Sequence, residues 1–141
     1  MRKMGLDIGT KRIGVAISDP LCHTAQALTV IERGKFDSEI QKLREIIAEY
    51  QIDGIIVGLP LKLNGTVGSQ ARAVMEYIDK LGSILPIPIR SWDERLTTLV
   101  AEKVLLSLDV KRAKRKRIVD KVAASVILQS YLDNLRWEEG E

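Results

Sequence analysis

The sequence predicts one α/β domain on a mixed five-stranded sheet with helices on both faces, in the order β-β-β-α-β-α-β-α. Three observations carry this reading. Met4 to Ile8 and Ile13 to Ser18 are short β-like runs joined by Gly9-Thr10-Lys11-Arg12, the pattern of an antiparallel hairpin. Ile52 to Leu59 is an almost unbroken apolar run, as in a parallel strand covered on both sides. Asp37 to Tyr50 places Ile40, Leu43, Ile46 and Ile47 at the spacing of a helix with one buried stripe.

The remaining elements follow in order. Ala25 to Ile31 supplies a third strand, and Ser69, as N-cap, opens a helix running to Leu81. A strand from Ile87 to Trp92 is followed by helices from Leu96 to Leu108 and from Ile118 to Leu135. At 141 residues, with no repeat, linker or low-complexity tract, residues 1–141 are read as a single domain.

Composition narrows the chemistry. No stretch approaches the roughly 18 unbroken apolar residues of a membrane helix, so no membrane partner is expected. The amino terminus leads into the first strand without a signal core, which makes the cytoplasm the expected location. One cysteine, Cys22, and one histidine, His23, cannot assemble a zinc cluster, so any catalytic metal must sit on oxygen ligands. The net charge of +3 says little, but Lys111 to Arg117 places six cations in seven residues. Gly9 and Gly14 have the spacing of a P-loop, yet Val15 stands where its lysine belongs. Aromatic residues are only 4% of the chain, which disfavours a stacking platform for single strands.

Three acids stand out. Period-two alternation puts Asp7 with Gly5 and Gly9 on the face opposite Met4, Leu6 and Ile8. Taken alone, Asp7 serves equally well as a cap of the hairpin turn. Glu94 follows a strand and Asp120 begins the last helix, and each alone reads as an acid complementing a helix dipole. Jointly, the three can converge on one edge of a mixed sheet.

Four blocks extend the argument: Asp7-Ile-Gly-Thr-Lys-Arg-Ile-Gly-Val-Ala-Ile-Ser-Asp19; Gly58-Leu-Pro60 with Asn64-Gly65-Thr66 behind it; Asp93-Glu-Arg-Leu-Thr-Thr98; and Asp120-Lys-Val-Ala-Ala124, followed by Ile127-Leu-Gln and Tyr131-Leu-Asp133. In this order, and over nearly the whole chain, they resemble the YqgF (RuvX) family, described as Holliday-junction resolvases related to RuvC and as nucleases maturing the small-subunit ribosomal RNA precursor. The resemblance implies an RNase H-like fold with Asp7, Glu94 and Asp120 as catalytic and metal-binding acids. It departs from RuvC where a second acid is expected three residues after Asp120, because Ala123 stands there. Asp93 is the weaker candidate for a further ligand, since adjacent residues on an extended segment point oppositely.

The implied activity is hydrolysis of phosphodiester bonds by a carboxylate site holding Mg²⁺ or Mn²⁺. Lys11 and Arg12, in the hairpin turn, and Lys114, Arg115 and Lys116, in a loop beside the site, are the candidate contacts to the substrate backbone. The expected partner is ribosomal RNA precursor or branched DNA, with the protein a monomer or homodimer. Two rivals remain at this point. One is a non-catalytic RNA- or ribosome-binding factor. The other is an actin-like nucleotide-binding protein, disfavoured because that fold closes two such domains around its nucleotide.

Overall fold

The computed structural model describes residues 1–94 and the backbone of residues 112–138, with side chains for 1–94 and 122–135. Its elements are β1 (Arg2–Ile8), β2 (Arg12–Ser18), β3 (Ala25–Glu32), α1 (Phe36–Tyr50), β4 (Ile52–Leu59), α2 (Ser69–Ile84), β5 (Ile89–Asp93) and α3 (Arg112–Glu138). The helix expected at Leu96 to Leu108 lies outside the described residues. No helix among the described residues is long and apolar enough to cross a membrane.

The five strands form one sheet in the order β3-β2-β1-β4-β5. β1–β2 and β2–β3 are antiparallel, whereas β1–β4 and β4–β5 are parallel. The carboxyl ends of β1, β4 and β5 therefore share one edge. Register fixes which residues meet there: Leu6 pairs with Val57, and Gly58 and Leu59 pair with Trp92 and Asp93.

Alternation sorts the side chains between two layers. Met4, Leu6 and Ile8 of β1 join Ile55 and Val57 of β4 under α1 and α2, with Leu43, Val74 and Leu81 completing that core. Ala16 and Ile56 face the other way, against Ala124, Ile127, Leu128 and Leu132 of α3. Full burial of each Ile or Leu contributes about 1.5–3 kcal/mol, so both layers hold the sheet. Gly5 sets the depth of the second one. A Cβ there would lie 2.8 Å from Leu128 Cβ and 3.0 Å from the Ala124 carbonyl oxygen, so its absence lets α3 rest on the strand.

Two expectations are corrected. The last helix begins at Arg112, not Ile118, so Lys114, Arg115 and Lys116 are helical and not in a loop, and Asp120 lies more than two turns in. Lysine, arginine and alanine are good helix formers, and no Gly or Pro interrupts 112–138, so the basic run propagates the helix. At α2 the N-cap is Gly68, not Ser69; the Arg72 N–H donates to the Gly68 carbonyl at 3.0 Å, and Ser69 is already helical.

Candidate active site

Asp7 occupies the penultimate position of β1, beside Gly14 of β2, on the face covered by α3. It is half-buried, with Gly5 two residues behind it, so α3 crosses close to the strand that carries it. Glu94 follows the last residue of β5 and shares the alternation of Arg90 and Trp92, which places it on the same face as Asp7. Its backbone N–H donates to the Leu59 carbonyl at 3.2 Å, extending the β4–β5 pairing by one residue. Strand β5 is pinned to α3 through its side chains: Trp92 Nε1 donates to Ser130 Oγ at 3.1 Å, and the Trp92 and Tyr131 rings meet edge to face at 5.5 Å.

The Glu94 side chain is 9% exposed, one of three buried polar residues among those described. Gly58 makes room for it: a Cβ at that position would overlap Glu94 Oε2 and Ile127 Cδ1. Burial pushes the Glu94 carboxyl up to about 7, and the negative charges of Asp7 and then Asp93 push in the same direction. The negative charges of Asp7 and Asp93 near this end of the sheet thus add to burial in disfavouring ionisation of Glu94, and among the described residues no three acidic, histidine or cysteine side chains cluster closely enough to hold a metal by themselves. Asp93 is exposed and on the opposite alternation. Asp19, by contrast, sits past the far end of β2, where its Oδ1 accepts the His23 and Thr24 N–H groups at 2.7 and 2.8 Å and holds a turn.

Residues 1–134 match the family model described as "RuvX: Holliday junction resolvase". The chain belongs to the RuvX family. Among RuvX relatives, one from Desulforamulus reducens is 53% identical over 134 residues, covering 95% of this chain and 98% of its own length. One from Clostridium novyi is 50% identical over 135 residues, covering 96% of this chain and 100% of its own. Both bear the name "Putative pre-16S rRNA nuclease". The fold also resembles that of Thermus thermophilus RuvC in complex with a Holliday junction substrate, with a TM-score of 0.52 at 16% identity over 96% of each chain. The Fowlpox virus resolvase, solved with Holliday junction DNA, gives a TM-score of 0.53 at 15% identity over 96% of this chain and 99% of that one. The RNase H-like architecture expected from the resemblance is the one found.

The structure brings Asp7 and Glu94 together. For Asp120 it gives the backbone position in α3, and the side chain lies outside the described residues, as do those of Lys114, Arg115 and Lys116. Lys11 is exposed at the hairpin turn. Arg12 reaches along the sheet to Glu32, with Nε 3.4 Å from Oε1, a surface pair that contributes little to stability. The sequence reading passed over Gly58, Trp92 and Ser130, which shape and hold the Glu94 site. Gly58 was visible in the Gly58-Leu-Pro60 block, but the side chain it accommodates comes from another strand.

Proposed function

We propose that this chain is a metal-dependent nuclease hydrolysing phosphodiester bonds in structured nucleic acid, with ribosomal RNA precursor as its substrate. The observation that carries the reading is the Asp7–Glu94 pair on one face of the sheet edge, built at the cost of a buried carboxyl raised to about 7. The substrate class rests on relatives of about 50% identity named for pre-16S rRNA. The family description and the fold of the junction-bound resolvases favour four-way junction DNA as the second reading.

Asp120 completes the proposed ligand set. The Tyr131 hydroxyl accepts from Arg90, near the start of β5, at 3.3 Å, and Ile127, one turn earlier, lies against Gly58, which pairs with Trp92 near the end of β5. Stepping backwards along α3 therefore runs towards the edge that holds Asp7 and Glu94, and position 120 falls four residues before Ala124 and seven before Ile127. Hard carboxylate oxygens without histidine or cysteine suit Mg²⁺ or Mn²⁺. When bound, such ions supply a hydroxide nucleophile and neutralise the departing oxyanion.

The chain's own residues do the rest. Asp7, on the central strand of the sheet, holds a fixed oxygen donor, and Glu94 accepts or releases a proton near neutrality as its environment gains or loses positive charge. Lys11 at the exposed turn, with Arg12 beside it, and the basic start of α3 bind the phosphates flanking the scissile one. The reading is tested by offering ribosomal RNA precursor and four-way junction DNA side by side with Mg²⁺ or Mn²⁺. The wild-type protein cuts and a folded Asp7→Asn protein does not; equal rates for the two would remove Asp7 from the site.

A further inference from the structure

Glu39 is a second buried acid, 2% exposed in the first turn of α1, on the side of the sheet away from Asp7 and Glu94. Its two oxygens are fully engaged. Oε1 accepts the Tyr77 hydroxyl of α2 at 2.7 Å, and Oε2 accepts the Gly34 N–H at 3.0 Å and Arg33 Nε at 3.4 Å. Arg33 in turn grips the β1–β2 turn twice. Its Nη1 donates to the Gly9 carbonyl at 2.8 Å, and its backbone N–H donates to the Lys11 carbonyl at 2.9 Å. The Tyr77 ring lies under the guanidinium, 5.0 Å from Cζ to ring centre, so the arginine is fixed from below as well as from the side.

The turn needs such a hold. Between it and α2 lies a cleft of about 490 Å³, bounded by Gly9 and Thr10 on one side and Ser69 and Gln70 on the other. The turn's described anchors are the Gly9 N–H to Arg12 carbonyl bond at 2.8 Å, the pairing of Arg12 with Glu32 at the start of β2 with their exposed side-chain contact at 3.4 Å, and the two Arg33 bonds, of which the guanidinium bond to Gly9 is the side-chain contact that reaches the Gly9 end. A buried ion pair adds little net stability compared with apolar residues of the same volume. What it does supply is direction: a planar guanidinium held at one edge by Glu39 has its other edge aimed at the Gly9 carbonyl.

We infer that Glu39 is a positioning residue for the nuclease site: through Arg33 it sets the β1–β2 turn that presents Lys11 and Arg12 and ends the strand carrying Asp7. The inference rests on the nuclease reading for its functional consequence, but its structural half stands apart from it. The chain of bonds runs from the α1–α2 layer, through the guanidinium, to a backbone carbonyl two residues beyond Asp7. Loosening it frees the turn without opening the core around Leu43 and Leu81.

The test uses Glu39→Gln, which keeps the volume and lets its N–H₂ donate to the Tyr77 hydroxyl but removes the negative charge that holds Arg33, and Arg33→Lys, which leaves Glu39 its bonds to Tyr77 and Gly34. Amide hydrogen exchange and steady-state cleavage of ribosomal RNA precursor are measured on the full chain. Binding of the same RNA in Ca²⁺ is measured separately from cutting. The expected result is faster exchange at Gly9 and Arg33 by about tenfold, unchanged exchange in the centres of α1 and α2, a KM and a Kd raised about tenfold, and a kcat within about threefold of wild type. Should Glu39→Gln fail to fold, Arg33→Lys carries the same expectations. Unchanged exchange at the turn, a loosened turn with wild-type KM and Kd, or uniform acceleration through α1 and α2 would each overturn the inference. If the wild-type protein cuts no RNA at all, the nuclease reading fails, while the exchange and Kd comparison still decides the role of Glu39.

Discussion

The Glu94 carboxylate occupies the space that a side chain at position 58 would fill. Gly58 ends the buried part of β4 and pairs with Trp92, so the acid from the β5 end folds back over its neighbouring strand. Gly58→Ala removes that space. The new methyl overlaps Glu94 Oε2 and Ile127 Cδ1, and overpacking of this kind costs about 1–3 kcal/mol. The variant is expected to remain folded with a lower Tm and to lose at least about 100-fold in metal-dependent cleavage, because a catalytic group displaced by about 1 Å loses that much. Thermal unfolding and a cleavage assay on the same preparation check both halves; cleavage at the wild-type rate would mean that Glu94 does not act from this position.

The raised Glu94 carboxyl makes the metal-free protein sensitive to pH in a definite direction. In the folded state it titrates at about 7, against an ordinary value of 4.5, chiefly because of burial. A folded value above the unfolded one contributes stability that is complete below about 4.5 and is lost as pH rises through about 7. The full loss amounts to about 3 kcal/mol, reached above that value. Glu94→Gln removes the titration. Without metal, the variant should be more stable than wild type at pH 8 and nearly equal to it at pH 4, by urea unfolding at both pH values.

If Glu94 holds metal as proposed, the same titration governs its binding. Coordination requires the ionised carboxylate, so protons compete with the cation. With a value near 7, the ionised fraction falls about tenfold between pH 8 and pH 6, and Mg²⁺ affinity should fall by a similar factor. Calorimetric titration at the two pH values measures it. An affinity independent of pH over this range would place the metal away from Glu94.

How much of this was legible in the sequence depends on how local each signal is. The strands were readable to within two residues because alternation and apolar runs are properties of the segment itself. The face on which Asp7 lies followed from the same period. The start of α3 lies earlier than expected because a run of six cations reads as a substrate-binding loop, although its residues are strong helix formers. Gly58 and Glu94 are 36 residues apart, and nothing in either segment announces that one accommodates the other. Glu39 left a fainter trace, an acid four residues before Leu43 and seven before Ile46 on the apolar stripe of α1. An acid on a buried stripe requires partners, but only the fold reveals Tyr77, Gly34 and Arg33 as those partners.

The basic start of α3 leads to a prediction about salt. Each lysine or arginine that neutralises a phosphate releases condensed counterions, so affinity falls as salt rises, and each lost contact flattens the slope of log affinity against log salt by roughly one unit. Residues 114 to 116 belong to a helix, and three consecutive helical positions do not share one face. A single nucleic-acid backbone therefore meets fewer of them than it would in an extended loop. Replacing Lys114, Arg115 and Lys116 together by alanine should flatten the slope by about one to two units, not three. Alanine is the best helix former, so the helix should persist by circular dichroism. Turnover of bound substrate should change less than affinity, since these residues hold backbone and do not act on water. Equal affinities and salt slopes for the triple variant and wild type, on ribosomal RNA precursor and junction DNA alike, would show that this stretch of helix faces solvent in the complex.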